Sequence, residues 1–321
     1  MRSRPFAQAD PFLQFIVLFL IAFSCVSIFM FGASGFVNLI WGFNFLTDPD
    51  AIVDYTNPQM VHINRLLLLF QHIGLFIVPA FIFAQLISNN WKIVLGFRPV
   101  RPSFKFIAVG AMILALPGIN ALAWWNSEMN LPPFLSELEA ALAGMEAQAA
   151  VLTDALTGSN QVWVLVLNII IIAFIPALGE ELIFRGLLIP ILRKWTKNIH
   201  WAIWIGAILF SAMHMQFYGF LPRLLLGAFL GYLYVWSGSI WVPILAHFTN
   251  NAMALILLFA VKRSALPQEV DSFEPTPVYF GVVIFSTLAF AGVLLMAYRK
   301  AVKPIDLQFP ALLPPAPTPE N

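Results

Sequence analysis

A chain of 321 residues that is 60% hydrophobic and only 10% charged lies far below the charged fraction of about 25% typical of soluble domains, which excludes an ordinary soluble fold and leaves an integral membrane protein. The formal net charge of +1, with no basic patch interleaved with aromatic residues, excludes a nucleic-acid partner. The lone Cys25 lies inside an apolar run, so there is no disulfide framework and its role is packing.

Arg2 and Arg4 followed by apolar residues resemble a secretory leader, but the run Phe12 to Gly32 exceeds an h-region of about 7 to 15 residues and is expected to be a retained first span. Further runs long enough to cross a bilayer are Leu66 to Ile87, Phe106 to Trp125, Val162 to Leu192 (broken near Pro176), Trp201 to Phe217, Phe220 to Trp236, Ile240 to Val261 and Val278 to Tyr298. The fifth and sixth are short and joined at Tyr218-Gly219. The expected fold is all-α, a polytopic transmembrane helical bundle of about eight spans. An amphipathic helix is expected near residues 134–157, where Leu135, Leu138, Leu142, Met145, Ala149, Leu152 and Leu156 recur at spacings of three and four. Its polar face is acidic, so it should pack on protein across the outer end of the bundle rather than on anionic lipid. Residues 304–321 hold six prolines and are expected to be a disordered tail.

Lysine and arginine fall before the first span (Arg2, Arg4), between the second and third (Lys92, Arg98, Arg101, Lys105), after the fourth (Arg193, Lys194, Lys197) and after the last (Arg299, Lys300, Lys303). Eight crossings put all four groups on one side, which predicts cytosolic termini; Arg223, Lys262 and Arg263 are the exceptions.

Ionisable residues at membrane depth are costly and point to function. Glu180, Glu181 and Arg185 sit between two apolar stretches of the fourth span. On a helix Glu181 and Arg185 share a face, while Glu180 is turned about 100° from Glu181. This predicts a structural ion pair for Glu181 and leaves Glu180 to aim into the bundle as a base; the competing reading is that all three are solvated at the membrane surface. Phe210 and His214 lie one turn apart on the fifth span, and His247 shares a face with Asn251, and nearly with Asn250, on the seventh. His72, beside Gln71, reads as a packing residue, and His62 and His200 fall at span edges. A carboxylate, two imidazoles and an amide converging in a wet cavity have the parts for water attack on a carbonyl. No Gly-x-Ser-x-Gly or His-Glu-x-x-His is present. Zinc held by Glu180, His214 and His247 is chemically allowed, though the spacing does not demand it.

Glu180-Glu181-x-x-x-Arg185, Phe210-x-x-x-His214 and His247-x-x-x-Asn251, in that order on successive spans, resemble the CPBP family of intramembrane proteases. That family includes the type II CAAX prenyl endopeptidases and proteins linked to bacteriocin processing and self-immunity. The resemblance covers about Val162 to Phe259. It implies a helical bundle with its cavity open to the cytosol, Glu180 and His214 activating water, His247 and Asn251 forming the oxyanion site, and Glu181, Arg185 and Phe210 in support. It also implies an endopeptidase acting on membrane-associated proteins or peptides, prenylated CAAX-like chains among them, in the bacterial cytoplasmic membrane, with the bilayer and the substrate as its partners. The site is expected to need no obligatory metal, with zinc as the alternative. The corresponding division of the chain is 1–161 (first spans and extracytoplasmic amphipathic helix), 162–261 (catalytic core), 262–303 (last span) and 304–321 (tail). Two further readings stay open: a non-catalytic regulator or bacteriocin-immunity factor using the same cavity, and a proton-coupled transporter, against which the absence of an internal repeat weighs.

Overall fold

The computed structural model describes residues 6–49, 51–266 and 276–301; Arg2, Arg4, Lys303 and the 304–321 tail lie outside them. Every regular element among these residues is helical. Nine helices organise the bundle: α1 (Pro11–Trp41), α2 (Pro58–Ile87), α3 (Pro102–Ser127), α4 (Ser136–Thr157), α5 (Val162–Thr196), α6 (Ile199–Ala212), α7 (Phe220–Ser237), α8 (Trp241–Lys262) and α9 (Pro277–Arg299). All but α4 and α6 are long and apolar enough to span a bilayer. The protein is thus an integral, multi-pass helical bundle.

Local chemistry sets the helix ends. Pro11 opens α1 behind an Asp10 cap that accepts from Phe12 N at 2.8 Å. Gly42, at φ +67°, closes α1 after Trp41, nine residues beyond the expected Gly32, because nothing between them breaks a helix.

The fourth span is continuous where a break was expected near Pro176. Each of the three π-helical segments, Ile73–Ile77, Ile169–Phe174 and Leu182–Leu188, ends just before a proline: Pro79, Pro176 and Pro190. A proline lacks an N–H and its ring crowds the carbonyl four residues back, and a locally widened helix relieves both without a break.

The fifth span also differs from expectation. Helix α6 has 14 residues, about 21 Å at 1.5 Å per residue, short of a core about 30 Å thick. It stops at Ala212, and residues 213–219 form a turn in which Met215 takes a positive φ of 53°. Asn126 at the end of α3 holds this turn, donating to Phe217 O at 3.2 Å and accepting from Leu221 N at 2.8 Å.

Helix α4 lies across one end of the bundle, tied to α8 by Lys262–Asp154 at 2.8 Å and to α2 by Arg65, which donates to Leu156 O at 2.6 Å. Arg65 is buried and also bonds Asn168 at 3.1 Å, so this charge within α2 is internal. The expected apolar stripe is split: Leu138 and Met145 are exposed, whereas Glu139 and Glu146 turn inward and Glu146 accepts from Tyr218 N at 3.1 Å. The helix therefore packs on protein as expected, but through two of its acids as well as its leucines. At the opposite end Ile240 N bonds Gly96 O at 2.9 Å, within the loop that carries Lys92, Arg98 and Arg101.

Candidate active site

Three helices and a turn bring ionisable groups to one place. Glu180 and Glu181 enter from α5, His72 from α2, His247 from α8, and His214 from the turn after α6. The π-helical segments bracket the place, one following His72 and two flanking the glutamates. Such segments reset which face of a helix points inward.

Glu181 is fully buried, and its Oε1 accepts from Arg185 at 2.8 Å and from His247 Nδ1 at 2.9 Å. The expected i,i+4 pair is therefore formed. Arg185 donates its second arm to Gly227 O at 2.8 Å and lies over the Phe210 ring at 4.9 Å. A hydrogen at Gly227 lets α7 come this close, since a Cβ there would lie 3.2 Å from Ala207 and Phe210. Phe210 in turn packs edge-on against His214 at 5.2 Å and His247 at 5.9 Å.

Glu180 is also buried, which contradicts the surface-solvated reading of these charges. Its carboxylate faces His72 Nε2 at 3.7 Å and His247 Nε2 at 3.9 Å, and its Oε2 has no hydrogen-bond partner among the described residues. These separations exceed a direct hydrogen bond. His214 and Arg223 act on Glu180 through space rather than by contact. Asn251, one turn beyond His247, accepts at Oδ1 from Asn250 Nδ2 at 3.2 Å, which leaves its own amide hydrogens free.

The three imidazoles are oriented alike. Nδ1 of His72 lies 2.9 Å from Leu68 O, Nδ1 of His214 lies 2.9 Å from Phe210 O, and Nδ1 of His247 meets Glu181. Each of these partners only accepts, so Nδ1 carries the hydrogen and each Nε2 is left for the site. Among the described residues no three His, Cys, Asp or Glu side chains are grouped as a metal site.

Of the residues read from sequence, Glu180, Glu181, Arg185, Phe210, His214 and His247 converge, and Asn251 lies on the same helix as His247. His72, read from sequence as a packing residue, packs on Phe76 and bonds Leu68 O, and it also faces Glu180. The signal that could have found it is its charge-bearing ring in an otherwise apolar span. An apolar cavity of about 480 Å³, lined by Leu114, Gly118, Leu226, Phe229 and Phe290, lies between α3, α7 and α9. No carboxylate or imidazole lines it, so the chemistry of Glu180 is elsewhere.

Residues 161–253 match the family model described as type II CAAX prenyl endopeptidase Rce1-like. The match covers less than a third of the chain, includes Glu180, His214, His247 and Asn251, and excludes His72; the resemblance read from the three motifs stands over this stretch. Three Bacillus subtilis (strain 168) proteins are similar. The uncharacterized protein YpbD is 28% identical over 113 residues, 33% of this chain and 55% of that protein. YdiL, whose name describes a membrane peptidase, is 30% identical over 103 residues, 32% of this chain and 42% of its own length. The sporulation-killing factor biosynthesis protein SkfC is 34% identical over 88 residues, 25% of this chain and 17% of its own length. The chain thus spans about half or less of the length of these curated relatives. No solved structure matches it.

Proposed function

We propose that this protein is an intramembrane endopeptidase that hydrolyses peptide bonds of membrane-associated proteins or peptides, prenylated CAAX-like chains among the substrates to be tested. The observation that carries this reading is the buried Glu180 carboxylate, with one oxygen unpartnered and facing His247 Nε2 at 3.9 Å. Glu180 takes a proton from water, the oxygen attacks the carbonyl, and His214 acts on Glu180 through space. Asn251 donates to the oxyanion. With Nδ1–H given to Glu181, the neutral His247 ring can only accept at Nε2, so it donates to the oxyanion only when doubly protonated. Glu181, Arg185 and Phe210 hold that ring in place. This chemistry requires no metal.

The test compares membrane peptide fragments from cells carrying wild-type protein and Glu180→Ala. Fragments that depend on Glu180 support the reading; identical fragment sets overturn it. A second reading is a non-catalytic regulator or bacteriocin-immunity factor that holds a partner at the Glu180 site. In that case partner capture persists in Glu180→Ala while no fragment depends on Glu180.

The protein's place is proposed to be the bacterial cytoplasmic membrane, with both ends in the cytosol. The lysine and arginine clusters support this orientation against the exceptions Arg223, Lys262 and Arg263. The short α6 keeps the parity of eight crossings, since it leads from the Arg193–Lys197 end of α5 to the turn held by Asn126 at the far end of α3. Tags at both ends should resist external protease in intact cells, and cleavage of either would reverse the assignment.

A further inference from the structure

His72 is the one imidazole facing Glu180 that lies outside the segment matched by the family model. It is placed there by a close helix approach. A Cβ on Gly179 would lie 2.8 Å from Phe76 Cβ and 3.1 Å from Ile77, so only glycine beside Glu180 lets α2 come this near. The Phe76 ring packs 5.6 Å from the His72 ring and limits its rotation. The π-helical segment Ile73–Ile77 begins immediately after His72. With Nδ1 committed to Leu68 O, the ring turns Nε2 toward Glu180 Oε1, 3.7 Å away. A bare Nε2 and a carboxylate oxygen are both acceptors, so this approach becomes favourable when a proton lies between them.

We propose that His72 is a positioning residue that acts through Glu180, sharing its proton and fixing its Oε1. This rests on the peptidase reading given above. When water attacks, its O–H bond breaks and the proton passes to Glu180. From there it moves to His72 Nε2, freeing the carboxylate. As the C–N bond breaks, the proton returns through Glu180 to the leaving amine, so no proton is gained or lost.

The experiment has two arms on the full chain in lipid nanodiscs or native membranes. In the first, protein labelled with 15N-histidine is examined by NMR. The chain has only five histidines, so the His72 ring signals are assigned by their loss in His72→Gln. The expected result is an Nδ1-protonated ring whose Nε2 shift moves on Glu180→Gln; an unmoved Nε2 overturns the proposal. This arm needs no turnover, so it stands apart from the peptidase reading.

In the second arm, release of the fragments that depend on Glu180 is measured. His72→Ala is expected to slow it about 100-fold, within the usual range for a proton-transfer group, with partial recovery on adding imidazole. His200→Gln, whose ring bonds Tyr232 away from Glu180, keeps the wild-type rate. Loss of rate without imidazole rescue, matched by an equal fall in melting temperature for both His72→Ala and His72→Gln, assigns a packing role and overturns the proposal. If wild-type protein releases no such fragments, the peptidase reading fails, and the NMR arm alone decides the pairing.

Discussion

His247 Nδ1 lies 2.9 Å from Glu181 Oε1, and that same oxygen receives Arg185 at 2.8 Å. One carboxylate oxygen thus pins α8 to α5 and orients the ring that faces Glu180. Spacing alone made Glu181 the partner of Arg185; the fold makes it the partner of a site histidine as well.

The two adjacent glutamates should therefore respond differently to the same change. Glu181→Gln removes the charge that pairs a buried arginine, and breaking such a pair costs about 3 to 5 kcal/mol. It also releases His247, so turnover and melting temperature should fall together. Glu180→Gln loses no hydrogen bond made by Oε2 and keeps the side-chain volume, so it should abolish turnover with little change in melting. Thermal melts in detergent beside fragment release check this, and equal melting shifts for both variants would contradict the division of roles.

Asn251→Ala should raise the barrier by about 2.7 to 4 kcal/mol, the size associated with one lost oxyanion donor. Asn250→Ala should cost less in rate, because its link to the reaction is the 3.2 Å bond that steadies the Asn251 amide. Rates measured for both variants on one fragment test the order; a larger effect at Asn250 reverses the assignment.

Gly179→Ala puts a methyl 2.8 Å from Phe76 Cβ, a contact that only a shift between α5 and α2 can relieve. Overpacking of this kind costs about 1 to 3 kcal/mol. The expected outcome is a lower melting temperature and a slower reaction, since the shift moves His72 from Glu180. Gly110→Ala, where a Cβ meets nothing within 4 Å, is the control and should leave both unchanged.

Metal dependence separates the two chemistries left open by the motif residues. If Glu180 activates water without a metal, a strong chelator should leave fragment release largely intact. An amide such as Asn251 is a good oxyanion donor and an uncommon zinc ligand, which favours this outcome. Stoichiometric zinc in protein purified without added metal, with activity tracking zinc content, would make Glu180, His214 and His247 ligands instead.

Hydropathy and spacing were enough to read a membrane bundle, the Glu181–Arg185 pair and the ordered trio of motifs, because these depend on composition and on the period of one helix. What the linear pattern could not hold are contacts between helices. His72 and Glu180 are 108 positions apart and meet through Gly179, whose missing Cβ matters only once α2 and α5 are packed. The π-helical segments ahead of Pro79, Pro176 and Pro190 keep spans continuous where a proline suggested a break, and they shift the inward face by amounts a fixed 3.6-residue period does not contain. Helix α6 stops at Ala212 although apolar residues continue, because Asn126 from α3 captures the following turn. Likewise Glu139 and Glu146 lie on the inner face of α4 because the turn at Tyr218 offers them donors. In each case a polar group far away in the chain satisfies a backbone or side-chain partner, and burial makes that satisfaction worth more than the local hydrophobic pattern.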